Sequence, residues 1–266
     1  MTEVSSVDAG ETPAGRSAGY VQSLDRGLAV IRAFDAEHPR LTLSDVARRT
    51  GLTRAAARRF LHTLVDIGYV DADGRLFTLR PRVLELGYAY LSALGLPEIA
   101  RPHLERLAAV LGESSSVSVL DGTDITYVAR VAARRIMSVD LGVGTRLPAY
   151  ATSMGRVLLA GLPTDELDDH LGHLVPLTRY TITERTQLLA ELDRVREQGW
   201  SIVDEELEEG LRSMAAPVHD RNGDVVAAVN VSTAARRGSV TTMVDEILPH
   251  LHAAARAISD DLAASR

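Results

Sequence analysis

Arg54, Arg58 and Arg59 are spaced so that a helix would carry all three on one arc, together with Ala55 and His62 and with no acid among them. A guanidinium offers five donors in a planar fork and can grip guanine O6 and N7, or a phosphate, with two bonds at once. Arg54 and Arg58, one turn apart, suit base reading. Thr53 and Arg59 suit phosphates, which position a protein on DNA without specifying sequence, and small Ala55 lets the backbone come close to a groove. Arg75, just past the Asp73-Gly74 turn, is placed to reach the DNA backbone or minor groove. The alternative is a solvated helix face, the usual fate of a charged arc.

A second group is Tyr150-Ala151-Thr152-Ser153-Met154-Gly155-Arg156, at an expected strand-to-helix junction. Free N–H groups at a helix start, at the positive end of its dipole, attract carboxylates and phosphates. Thr152 and Ser153 add hydroxyls, and Gly155 keeps the turn uncrowded; an ordinary Ser/Thr cap is the competing reading. Asn230 and Ser232 alternate on a Val/Ala-rich strand, facing either a polar cavity or the outer surface. Arg134-Arg135 reads as a carboxylate clamp or as a solvated edge.

Asp204-Glu205-Glu206-Leu207-Glu208-Glu209 could supply metal ligands or an acid/base pair, but five acids in six residues more often form a solvated surface. His170 and His173 lack the intervening Glu and third ligand of a zinc site. No nucleophile elbow, GxGxxG or phosphate-binding loop is present, so no catalytic residue, metal or cofactor is expected.

The 266 residues contain no Cys, which removes disulfides, Cys-ligated metals and thiol chemistry and points to a reducing cytoplasm. All 29 basic residues are Arg, against 36 acids, for a net charge of -7. That balance opposes indiscriminate binding to nucleic acid. It is unevenly spread: residues 20–80 hold ten Arg against seven acids, whereas those after residue 80 hold 18 Arg against 26 acids. No apolar run approaches the ~20 residues of a membrane span. Residues 1–19 are acidic without an apolar segment, which suits a disordered tail rather than a signal peptide or anchor.

The elements that must position these groups can be read locally. Ser23 is a candidate cap for a first helix with Leu24, Leu28, Ile31 and Phe34 on one side. A short helix over 43–49 ends at Thr50-Gly51, and a third, capped by Thr53, runs to about Ile67 with Ala57, Leu61, Leu64 and Val65 inward. Strands flanking Asp73-Gly74 form a hairpin, completing a winged helix-turn-helix. Val83, Leu84, Leu86, Gly87, Tyr90, Leu91 and Leu94 stripe a linker helix, or alternatively the first helix of the next domain. Beyond it come a helix over 97–112 with Val110 inside, hairpin strands around Asp121-Gly122, strands over 135–141 and 146–150, and a helix over 151–160. A helix over 185–198, strands over 200–205, 213–219 and 225–232, and a helix over 240–262 follow. This alternation gives an antiparallel α+β sensor domain.

From Gln22 to Leu262 the sequence resembles the IclR family of bacterial regulators. The resemblance rests on Ser23-Leu-Asp-Arg-Gly-Leu-Ala-Val, Leu43-Ser-Asp-Val-Ala through Gly51-Leu-Thr-Arg, Tyr150-Ala-Thr-Ser-Met-Gly-Arg-Val-Leu-Leu-Ala, Asp204-Glu-Glu and Gly210-Leu-Arg-Ser-Met-Ala-Ala-Pro-Val. Thr53 to Leu61, Arg82 to Leu91, Glu113 to Gly122 and Arg134-Arg-Ile-Met are similar to the subgroup governing protocatechuate, 4-hydroxybenzoate and β-ketoadipate catabolism. The resemblance implies an effector domain that binds a small organic acid, with dimers commonly pairing into tetramers. It further implies effector contacts at Ser153, Met154, Ser213, Asn230 and Ser232, an acidic pocket residue at Val203 or Asp204, and Ser213 where the family has Cys.

The expected organisation is a tail over 1–19, a winged helix-turn-helix over 20–80, a linker helix over 81–96 and an effector domain over 97–262. The expected function is a cytoplasmic, non-membrane, non-enzymatic regulator. It would bind paired half-sites of a double-stranded DNA operator as a homodimer or tetramer and respond to a small aromatic or dicarboxylic acid. Two rivals are an enzyme that uses the Glu205–Glu209 carboxylates beside a nucleic-acid-binding appendage, and a constitutive DNA-binding dimer without an effector.

Overall fold

The computed structural model describes residues 19–87, 95–132 and 141–265. The tail through residue 18, Tyr90, Leu91 and Leu94 of the connector, the strand expected to begin at Arg135, and Arg134 lie outside the described residues. The chain forms two compact units, Met1–Ala89 and Tyr90–Arg266.

In the first unit, helices α1 (Gln22–Arg32), α2 (Leu43–Thr50) and α3 (Arg54–Asp66) precede strands β2 (Val70–Asp73) and β3 (Leu76–Leu79), with a short β1 (Arg40–Thr42) before α2. Thr42 and Asp45 cap the start of α2 reciprocally, and Gly51, at φ 68°, closes its end in the left-handed region that favours glycine. The Thr42 hydroxyl, bonded to the Asp45 carboxylate, holds that acid below its ordinary value of 3.8. Thr53 caps α3 by accepting the Ala56 N–H at 3.2 Å. Ala57, Leu61 and Leu64 of α3 are buried with Val30, Val46 and Phe77.

Two local expectations fail. Ser23 lies inside α1, whose cap position is Val21 without a side-chain bond. Leu24 and Leu28 are exposed, because the core is closed from α1 by Val30 instead. Strand β1 was not expected; it pairs antiparallel with β3, setting Leu41 opposite Phe77, and so gives the wing the sheet order β1-β3-β2.

The second unit is built on six antiparallel strands in the order β6-β5-β4-β9-β8-β7. These are β4 (Ser114–Asp121), β5 (Asp124–Val131), β6 (Arg146–Pro148), β7 (Ser201–Asp204), β8 (Leu211–His219) and β9 (Val225–Ala234). One face of the sheet packs Val117, Met214, Val229 and Val231 with Leu104, Leu107, Leu251 and Ile258 of α4 (Leu96–Leu111) and the C-terminal helix. The other face carries α5 (Ser153–Ala160) and α7 (Arg185–Gln198), burying Leu158, Leu159, Leu188 and Leu192. A short α6 (Leu167–Leu171) lies between them in sequence.

Val110, expected inside, is exposed on α4. The expected single helix over 240–262 is two, α8 (Val240–Glu246) and α9 (Leu248–Ala264). Pro249, in the first turn of α9, has no N–H to continue the earlier ladder, and its ring disfavours a helical residue before it. Among the described residues no helix is long and apolar enough to cross a membrane.

Candidate functional site

The first candidate surface is the outer face of α3. Arg54, Ala55, Arg58 and Arg59 are exposed, and among the described residues none of the three arginines pairs with an acid. Arg58 Nε donates to His62 Nε2 at 3.4 Å, its one side-chain partner. Elsewhere in the same unit Arg40, Arg48 and Arg49 are paired, with Asp73, Asp45 and Asp35. The α3 arc therefore keeps its charge available while its neighbours do not. Thr53 uses a lone pair for the cap and retains its O–H for another acceptor. Arg75 is exposed at the wing turn.

The second candidate is a cavity of about 20 Å³ in the other unit, room for about one water, so a larger occupant enters only if the lining yields. Its floor is polar where the sheet face beneath α5 would otherwise be apolar. Ser116 pairs across the ladder with Asn230, and Ser232 with Ser213, so adjacent strands turn hydroxyls and an amide to the same side. Asn230 and Ser232 thus face the cavity, and Asn230 Nδ2 donates to Ser232 Oγ at 3.1 Å. Asn230 Oδ1 is buried without a partner. Such an atom costs free energy until something donates to it.

The start of α5 forms one wall. Thr152 is its cap and takes the Gly155 N–H at 3.1 Å, leaving the Ser153 and Met154 N–H groups without a partner among the described residues. Ser153 Oγ donates to Ser213 Oγ at 2.9 Å, and both residues line the cavity with Met154. Gly155 has a different place. A Cβ there would lie 2.1 Å from the Ala149 carbonyl oxygen, so its role is close backbone packing behind the wall.

Asp204 does not line the cavity; its carboxylate is bound by Arg212 at 2.6 and 2.8 Å. The acidic run it opens is not the solvated surface expected. Glu206 is buried in a two-bond ion pair with Arg156, at 2.8 and 2.5 Å, and also accepts the Ile182 N–H. Glu205, at φ 60°, accepts the Gly210 N–H at 2.7 Å. Glu209 stands 3.7 Å from Arg179. These acids are spent on separate partners, and the Arg156–Glu206 pair anchors the segment that places Leu207 in the cavity wall. His170 Nδ1 lies 2.7 Å from the Gly122 carbonyl, which accepts its proton.

Tyr127, Arg130, Leu141, Leu207 and Leu211 complete the lining and were not anticipated. Burial pushes the Tyr127 phenol up to about 12. Arg130 is half-buried and, among the described residues, is the one charged residue in the lining.

Comparison with known proteins agrees with this two-part architecture. Residues 23–74 match the IclR helix-turn-helix domain, and residues 88–260 match the family described as bacterial transcriptional regulator IclR C-terminal. The Pca regulon regulatory protein of Pseudomonas putida is 46% identical over 246 residues, covering 91% of this chain and 84% of that protein. The p-hydroxybenzoate hydroxylase transcriptional activator of Acinetobacter baylyi is 38% identical over 244 residues, 89% of this chain and 90% of its own. The crystal structure of an IclR homolog complexed with 4-hydroxybenzoate from Microbacterium hydrocarbonoxydans superposes with a TM-score of 0.79 at 26% identity, covering 92% of this chain and all of that one. This chain is thus a member of the IclR family of bacterial transcriptional regulators.

Proposed function

We propose that the protein is a cytoplasmic, non-enzymatic regulator of aromatic-acid catabolic genes that binds operator DNA through α3 and senses a small aromatic or dicarboxylic acid in the cavity beneath α5. The observation that carries the effector reading is the pair of N–H groups at Ser153 and Met154, unpartnered among the described residues and opening beside Ser213 onto a cavity in which no described lining residue is an acid. Relatives named Pca regulon regulatory protein and p-hydroxybenzoate hydroxylase transcriptional activator support the choice of acid. In this reading Arg54 and Arg58 read bases, and Thr53, Arg59 and Arg75 hold phosphates. One module makes few base contacts, so a dimer or tetramer spans paired half-sites. The acid acts by binding two arrangements of the assembly unequally, since only differential affinity can shift their balance.

A thermal-shift series with 4-hydroxybenzoate, protocatechuate and β-ketoadipate tests the reading. An acid at about 100 times its Kd stabilises the fold that binds it by ~2.7 kcal/mol, which raises the melting temperature by several degrees. Melting curves that none of these acids moves would overturn it.

A further inference from the structure

We propose that Arg130 selects an anionic effector over a neutral one, and that a β-bulge at Val128 is what turns it into the cavity. The inference rests on the effector reading above. Strands β4 and β5 pair Ser118 with Tyr127 and Ser116 with Arg130, the register shifting between Val117 and Ser118. Residues two apart on β4 therefore face residues three apart on β5. In a regular strand, side chains three apart emerge on opposite faces. The extra residue returns Arg130 to the side of Tyr127, and both line the cavity. The two residues between them, Val128 and Ala129, pack in the opposite apolar layer against α4.

The chemistry at that position is unusual for this domain. Arg156, Arg212 and Arg237 are each matched by a carboxylate, from Glu206, Asp204 and Glu113. Among the described residues Arg130 has only the Ser116 hydroxyl, 3.4 Å from one terminal nitrogen, and most of its five donors have no partner there. Its neighbours in the lining are hydroxyls, an amide and apolar groups. Tyr127 does not supply a counter-charge, because its phenol stays protonated up to about pH 12. A guanidinium half-withdrawn from water without a counter-ion is costly, and an effector carboxylate removes that cost where a carboxamide of the same shape does not. The N–H groups of Ser153 and Met154 donate to either group, with a modest preference for the anion from the helix dipole; Arg130 adds the larger discrimination.

The test is calorimetric titration of full-length wild type, R130Q and R130K with 4-hydroxybenzoate, protocatechuate and β-ketoadipate, and with the carboxamide of each. Hydrogen bonds to charged groups contribute about 1.5–3 kcal/mol, so R130Q is expected to weaken acid binding by about 10- to 100-fold and to lower the acid-over-amide ratio by a similar factor. R130K, which keeps the charge but loses the fork, is expected to bind more weakly than wild type while retaining preference for the acid. If R130Q fails to fold, the R130K affinity and ratio carry the test. Acid affinity within about twofold of wild type in the folded variants, with the ratio unchanged, would overturn the assignment and leave the effector reading standing. Wild type that binds none of the acids would remove both.

Discussion

Arginine is the only basic residue besides histidine in this protein, and two sites, one in each unit, use it in opposite ways. On α3 the guanidiniums of Arg54, Arg58 and Arg59 stand in solvent without acids. In the second unit, Arg156 on α5 is almost wholly buried and locked to Glu206, and Arg212 on β8 is locked to Asp204. An exposed, unpaired arginine contributes little to the fold and keeps its donors for a partner. A buried, paired one has its partner already and contributes to the fold, with removal of either member leaving an uncompensated charge. Arg130 belongs to neither group: it is half-buried, between the two in exposure, and among the described residues it lacks a carboxylate as the α3 arginines do. Pairing state separates function from structure here better than residue type or net charge does.

The sharpest way to break this contrast is Arg156→Ala. It strands the Glu206 carboxylate in the interior and should cost ~3–5 kcal/mol of stability in urea denaturation, whereas Arg59→Ala should stay within about 0.5 kcal/mol of wild type. Equal losses would erase the distinction. Next in size, Arg58→Ala should leave the melting curve unmoved and weaken operator binding by about 1–3 kcal/mol, relaxing preference at one base pair. A uniform loss across DNA sequences, with a salt slope lower by about one, would reassign Arg58 to phosphate.

The smallest effect concerns Asp45, whose cap bonds to Thr42 hold its folded-state value below the ordinary 3.8. Its contribution to the first unit is therefore complete above that value and fades as pH falls through the lower, folded-state one. Asp45→Asn should flatten the acid limb of the stability profile, measured from pH 5 downward, while leaving its alkaline side parallel to wild type.

How much of this could be read in advance depended on how local each signal was. The helix-turn-helix was legible because its caps, its glycine stop at Gly51 and its Asp73-Gly74 turn are all decided within a few residues. Strand β1 was not, since three residues carry little pattern and the pairing of Leu41 with Phe77 spans the whole module. Glu206 looked like one acid among five; only Arg156, fifty residues away, makes it a buried ion pair. Ser153, Ser213, Asn230 and Ser232, which the family resemblance implies as a group, line one cavity in the structure. Arg130 could not have been named: counting by twos from Tyr127 sends it to the wrong face, and the bulge that corrects the count lies in strand pairing. The acids at Glu205 to Glu209, read as possible catalytic carboxylates in one rival account, are held by separate partners instead.

The central claim is that an acid in the cavity beneath α5 governs what the α3 surface does on DNA. Transcription from the cognate promoter, reconstituted with purified protein and polymerase at saturating acid and without it, tests that claim most directly. With allosteric couplings of about 1–3 kcal/mol, the account expects transcript levels to differ by about 5-fold or more in one direction, and that response to shrink at limiting protein when Arg58→Ala weakens operator binding. Equal transcript levels with and without an acid that demonstrably binds the protein would contradict it.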